Sequence, residues 1–308
     1  MMNGKLFVMG APAVIFDSLE PEWQARLEYV DSFLQFPKGR WRQLTRWLVV
    51  GRLPLPRRCL YAWFPQQGLD HLLQATAADR VLLYECANYR MLKAVRQLLP
   101  RTTVCFIYYC NPIRTLFGHP ERELAAIARL GFRLSTFDPD DARRYGLELT
   151  GQYFCHPARL PEGRAATTDC FFCGLPKDRQ ATLDRLRRRL EEAGLVCDFI
   201  IPTTAGEKIG YDEYLRRLSR ARCVVDICQQ GQRGLTRRPL EALFYDKKLI
   251  TDNPMIRTYD FYNPENILIF GEDSADALKA FVRQPLSPVP RAVKDRYDVR
   301  QWLRRYME

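Results

Sequence analysis

Asp226-Ile-Cys-Gln-Gln230-Gly231-Gln-Arg-Gly234-Leu-Thr236-Arg-Arg238-Pro-Leu-Glu241 is the stretch whose reading decides the fold. Cys223 to Ile227 is a short apolar run of the kind that forms a buried strand. Two glycines break that pattern, and Thr236 to Tyr245 then takes up helical spacing, with Thr236 placed to cap the helix. Strand, glycine-bearing loop and helix are one step of a parallel α/β unit, in which ligands bind beyond the carboxyl ends of the strands. Arg238 falls in the first helical turn, where a cation opposes the helix dipole unless an anion compensates it. Glu241 lies three residues on, on the same helical face. An arginine for a diphosphate and a carboxylate for ribose hydroxyls suit this spacing. A surface Arg/Glu pair on a helix that merely packs suits it equally.

The same alternation extends in both directions. Downstream, Lys248 to Thr251 and Ile267 to Phe270 read as strands, and Ser274 to Val282 and roughly Ala292 to Met307 as helices. Upstream, Cys170 to Leu175 and Cys197 to Ile201 read as strands, with helices over Asp178 to Ala193 and Tyr211 to Ser219. Periodicity disappears from His156 to Asp169, where two prolines, a glycine and small polar residues mark a linker. Before it, strands at Lys5 to Gly10, Arg80 to Glu85, Thr103 to Cys110 and Arg133 to Phe137 are interleaved with helices at Tyr89 to Leu99 and Arg122 to Leu130. Asp138-Pro-Asp-Asp141 reads as a turn and helix cap. Strands separated by helices pair in parallel through crossovers, and 308 residues fit two domains of about 150 residues each. The expected architecture is α/β: two Rossmann-like domains facing a cleft, residues 1–156 and 157–308.

Charge narrows the partners. Lys and Arg number 47 against 36 Asp and Glu, a net charge of +11 that favours polyanions. Between Ser32 and Leu69 there is no acid, against seven basic residues (Lys38, Arg40, Arg42, Arg46, Arg52, Arg57 and Arg58) interleaved with Trp41 and Trp47. Such a stretch can lie on an anionic membrane surface; a grip on RNA or a solvated helix packed on its own domain are the alternatives. No run is long enough to span a bilayer, and Met1 to Phe16 lacks the marks of a cleaved signal. The expected location is cytoplasmic, with a peripheral hold on the inner face of the cell membrane through residues 32–69. The ten cysteines read as reduced thiols. Cys170-Phe-Phe-Cys173 has the spacing of a zinc or redox pair but falls in an apolar strand without a second pair, and the three histidines, His71, His119 and His156, are dispersed; no metal site is expected.

A second loop after a strand carries Gly174-Leu-Pro-Lys177-Asp-Arg179. Its glycine lets backbone approach a phosphate, and Lys177 and Arg179 stand at the amino end of the next helix, a setting for an anion. Pro176 and Asp178 also suffice as a plain turn and cap.

Leu235-Thr-Arg-Arg238-Pro-Leu-Glu241-Ala-Leu-Phe-Tyr-Asp246-Lys-Lys-Leu-Ile250-Thr-Asp-Asn253 resembles the C-terminal signature of glycosyltransferases with two Rossmann-like domains, the GT-B fold. The match covers about twenty residues well, and the two-domain layout extends it loosely to the whole chain. Asp246 stands where the family has a glycine before the strand. Arg233 stands where one retaining branch has a glutamate eight residues before the conserved one, which leaves the stereochemistry open. The resemblance implies transfer of a sugar from a nucleotide-sugar donor to a glycan or lipid-linked saccharide, as in surface polysaccharide or lipopolysaccharide synthesis, with no cofactor and no obligatory metal. It implies that Glu241 binds the donor ribose and that basic residues bind its diphosphate. The donor-binding set is Gly174, Lys177, Arg179, Gly234, Thr236, Arg238 and Glu241. A general base for the acceptor hydroxyl is sought in the first domain: Glu85, which ends an apolar strand, or Asp138. Asn111, Arg114 and His156 are candidates to hold donor or acceptor. A noncatalytic nucleotide- or RNA-binding protein and a sugar-nucleotide epimerase of the same fold are the alternatives; nucleic acid is not the expected partner.

Overall fold

A computed structural model of the chain describes residues 4–30, 66–156, 166–229, 232–271 and 274–308. The basic, tryptophan-bearing stretch read above as a membrane contact lies, apart from residues 66–69, outside the described residues.

The described strands form two sheets, each parallel throughout. β1 (Leu6–Met9), β2 (Leu27–Val30), β3 (Arg80–Tyr84), β4 (Val104–Tyr109), β5 (Phe132–Thr136) and β6 (Glu148–Leu149) lie in the order β2-β1-β3-β4-β5-β6. β7 (Thr168–Cys173), β8 (Cys197–Ile200), β9 (Ala221–Asp226), β10 (Lys248–Thr251) and β11 (Ile267–Ile269) lie in the order β8-β7-β9-β10-β11. The winding is the same in both: the second strand goes to one side of the first, and the third to the other. The chain is thus an α/β protein of two Rossmann-like units, each with a topological switch point, β1/β3 and β7/β9.

Burial on both faces explains the near-continuous apolar strands. In the second sheet, Cys170, Phe172, Cys223, Val225 and Ile250 face Leu183, Leu186 and Leu190 of the helix Gln180–Glu192 and Leu278 of the helix Ala275–Arg283. The alternate residues Phe171, Val224 and Leu249 face Leu215 and Leu218 of the helix Tyr211–Ser219 and Leu240 and Leu243 of the helix Arg237–Phe244. Cys170 and Cys173 therefore point to opposite faces of β7, so their spacing in an extended strand keeps the two thiols apart.

The compact units are Met1–Gly151 with Cys155–Pro157 and Val299–Glu308, and Gln152–Phe154 with Ala158–Asp298. The last ten residues, expected in the second domain, thus belong to the first unit. The single helix expected from Ala292 to Met307 is two, Arg291–Asp295 and Val299–Met307. The reason is coverage of the first sheet. Phe7, Met9, Val81, Leu83, Cys105 and Ile107 pack on one face with Leu92, Val95 and Ile127. On the other face Phe106 meets Tyr306, with ring centres 5.2 Å apart, and Tyr108 meets Trp302 at 4.9 Å. The Tyr306 hydroxyl lies 2.9 Å from Ser135 Oγ. Among the described residues, no helix is long and apolar enough to cross a membrane.

Candidate functional site

The carboxyl ends of β7 and β9 flank the switch point of the second sheet, and the loop after each leads to an arginine. After β7 the backbone turns at Lys177 (φ +48°), and Arg179 donates from its backbone N–H to the Pro176 carbonyl. The Arg179 side chain folds back into the loops. Its Nη1 donates to the Ile227 carbonyl after β9 and its Nη2 to the Leu175 carbonyl at 3.1 Å, tying the two loops together. The guanidinium carbon lies 5.4 Å from the Phe172 ring centre. Arg238, from the helix after β9, lies over the same ring at 4.7 Å, close enough for a cation–π attraction. Its Nη1 donates to Asp226 Oδ1 at 3.1 Å and its Nη2 to the Cys173 carbonyl at 3.0 Å. The two guanidinium groups converge on Gly174: a Cβ there would overlap Arg238 Nη2 and lie 3.1 Å from Arg179 Nη2. A side chain here would have to displace the Arg238 guanidinium from its present contacts.

The two cations are compensated differently. Burial works against the Arg238 charge, but Asp226, Tyr214 and Glu241 outweigh it and raise the affinity for its proton. Arg179 is only 7% exposed and pairs with no carboxylate among the described residues. Burial and the Arg238 charge both weaken its hold on its proton, and its Nε is buried without a hydrogen-bond partner. Burial and Arg179 act in the same direction on Lys177. A group of like charges held this close is stabilised by an incoming anion.

Asp226, the last residue of β9, is 1% exposed. Its Oδ1 accepts from Thr236 Oγ1 at 2.8 Å as well as from Arg238, and its Oδ2 lies 3.4 Å from Thr251 Oγ1. This corrects two expectations. Thr236 occupies the N-cap position, yet its side chain makes no capping bond; a buried carboxylate is the stronger partner for its hydroxyl. Arg238 is compensated from within the protein, by Asp226. Glu241 is buried and does not pair with Arg238: its Oε2 accepts from the Tyr214 hydroxyl. Burial raises its affinity for a proton, against the opposing pull of Tyr214 and Arg238. The helix ends through Asp246 at φ +52°, the left-handed conformation that glycine usually supplies at a helix end. Gly234 is buried in the loop ahead of the helix.

In the first unit, Glu85 follows β3 at φ +54°, with its N–H donating to the Tyr108 carbonyl at 2.8 Å. Its Oε1 accepts from Asn111 Nδ2 at 2.6 Å and from Cys110 Sγ at 3.3 Å. The carboxylate is thereby fixed beyond the carboxyl end of β3 by two residues that follow β4. A non-glycine residue in this conformation costs about 1–2 kcal/mol, which the surrounding bonds sustain. Asp138 is engaged differently: its Oδ1 accepts from the Asp140 and Asp141 N–H groups and caps the helix Pro139–Tyr145. Cap chemistry accounts for it. Arg114 is exposed on the short helix Ile113–Leu116, and His156 is exposed.

No protein-family model and no curated protein matches the chain. The geometry therefore carries the reading, and it adds residues to those expected. Asp226, Tyr214 and Phe172 all join the second-unit cluster. Asp226 had a visible signal, an acid closing an apolar strand, where a carboxylate is costly unless partnered. Tyr214 and Phe172 had none, since their spacing matches ordinary core positions.

Proposed function

We propose that the protein is a glycosyltransferase that moves a sugar from a nucleotide-sugar donor to a glycan or lipid-linked saccharide. The observation that carries this is Arg179, a buried cation without a carboxylate partner among the described residues, set beside Arg238 at the β7/β9 switch point. Lys177, Arg179 and Arg238 meet the donor diphosphate, and Glu241 Oε1 accepts from the ribose while Oε2 stays on Tyr214. Asp246, holding a glycine's conformation where the GT-B signature has glycine, agrees with the reading. In an inverting transfer a base removes the acceptor hydroxyl proton, the oxygen attacks the anomeric carbon, and the bond to the diphosphate breaks with its electron pair on the leaving group. The cations then stabilise the negative charge that develops there. Glu85 is the base, its carboxylate oriented by Asn111.

A thermal-shift panel of UDP-, GDP-, CMP- and TDP-sugars tests the donor half, since a ligand of the native state raises its melting temperature. At least one donor is expected to stabilise the parent. Arg179→Ala should stay folded and bind that donor roughly tenfold more weakly or worse. Arg238→Ala removes one partner of the Asp226 pair and is expected to cost about 3 kcal/mol of stability as well. A parent indifferent to every donor, or an Arg179→Ala variant that binds like the parent, would overturn the assignment.

A further inference from the structure

The opposite edge of the first sheet holds a second concentration of positive charge. Three neighbouring strands start beside a basic residue: Lys5 precedes β1, Arg26 precedes β2, and Arg80 opens β3. The parallel register sets Leu6 beside both Leu27 and Arg80, and the Leu6 N–H donates to the Arg26 carbonyl at 3.1 Å. The helix Val299–Met307 adds Arg304. These residues line a cavity of about 430 Å³ at the amino-terminal edge of the sheet, a size that holds a small ligand.

The acidic residues nearby engage Lys5 and Arg80. Glu28 pairs with Lys5 and lies 3.5 Å from His71. Asp79 accepts from the Lys5 backbone N–H at 2.7 Å. Glu308, the one acid lining the cavity among the described residues, accepts from Arg80 Nη2 on a main-chain oxygen. Arg26 and Arg304 both lean on the Trp23 ring, at 5.1 and 5.6 Å, and form no ion pair among the described residues. Burial and the charge of Arg133 both disfavour the Arg80 cation.

We propose that this cavity binds a clustered-phosphate anion, a triphosphate or diphosphate group, free or carried by a nucleotide. Guanidinium forks match phosphate oxygens in pairs, and several of them around one cavity call for several charges on one ligand. The site is separate from the β7/β9 cluster and does not depend on how that cluster is read.

Calorimetric titration of the full chain with inorganic tripolyphosphate and with ATP tests it, in an Arg179→Ala background that weakens the other anion site. Arg26→Glu with Arg304→Glu is compared with a control of equal charge change, Arg122→Glu with Arg129→Glu on the exposed face of another helix. Arg26 and Arg304 are exposed, so the fold should persist; Arg26→Gln with Arg304→Gln is the milder pair should it not. The expected result is binding in the background and the control, and at least roughly tenfold weaker binding in the Arg26/Arg304 pair. ATP binding more tightly than tripolyphosphate would assign the phosphate to a nucleotide, and the reverse to a free polyphosphate. Equal affinities in the Arg26/Arg304 pair and the control, or no binding in the background, would overturn the proposal.

Discussion

Glu241 shows at the scale of one residue how burial bears on charge. Its carboxyl is enclosed, and burial lifts its pKa above the ordinary 4.5 despite the Tyr214 bond and the Arg238 charge. A carboxyl raised in the folded state contributes stability that is fully present below its unfolded pKa, and this is lost as pH rises through the raised value. Asp252, lifted chiefly by burial, acts in the same direction. Glu241→Gln keeps an acceptor for Tyr214 but removes the charge. The variant is therefore expected to gain stability relative to the parent as the pH rises from about 4 to about 7. Urea midpoints of both proteins at the two pH values measure this, and a difference independent of pH would refute it. The ionised form that burial disfavours is the form that the proposed ribose contact would use.

At the scale of elements, the helix Val299–Met307 is the clearest case of long-range control. Trp302, Leu303 and Tyr306 are buried, and through Phe106 and Tyr108 they close one face of the first sheet. Trp302→Ala should destabilise the first unit by about 3–5 kcal/mol, the cost of a large cavity in a packed core. Hydrogen exchange reads the effect unit by unit: amides of β3, β4 and β5 should lose protection while those of β7, β9 and β10 keep it. Equal loss in both units would mean that the helix does not serve the first unit alone. Local periodicity shows that this segment is helical and amphipathic. It does not show which sheet its apolar face covers, because nothing within the segment depends on that choice. The break before Val299 is equally long-range in origin: Tyr297 accepts from the Phe154 N–H at 2.7 Å, and Asp298 bridges Phe154.

For the whole molecule, the excess of eleven positive charges is a property of sequence, but its placement is not. The acid-free stretch from Ser32 to Leu69 supports the proposal that the chain attaches to an anionic membrane. Each cation near such a surface contributes about 1 kcal/mol, weakened as salt shortens the screening length. The parent should sediment with anionic but not zwitterionic vesicles, and a variant with Arg40, Arg42 and Arg46 changed to Glu should sediment with neither. Equal sedimentation in all four combinations would end the membrane reading.

By itself the sequence determined the alternation of strands and helices, because the spacing of apolar residues is set within each segment and reflects burial on one face or two. It determined the loop after β7 that carries Lys177 and Arg179 and the helix after β9 that carries Arg238. It left undetermined the short strands β2 and β6, whose apolar signal is brief. Only the tertiary structure decided that Arg238 pairs with Asp226, that Thr236 gives its hydroxyl to the same carboxylate, and that Glu241 belongs to Tyr214. It alone placed Arg179 beside Arg238, gathered Lys5, Arg26, Arg80 and Arg304 around one cavity, and returned the last helix to the first unit. These pairings join residues from 10 to nearly 300 positions apart. Strand order settles them, and strand order depends on which faces find cover rather than on the period of any one segment.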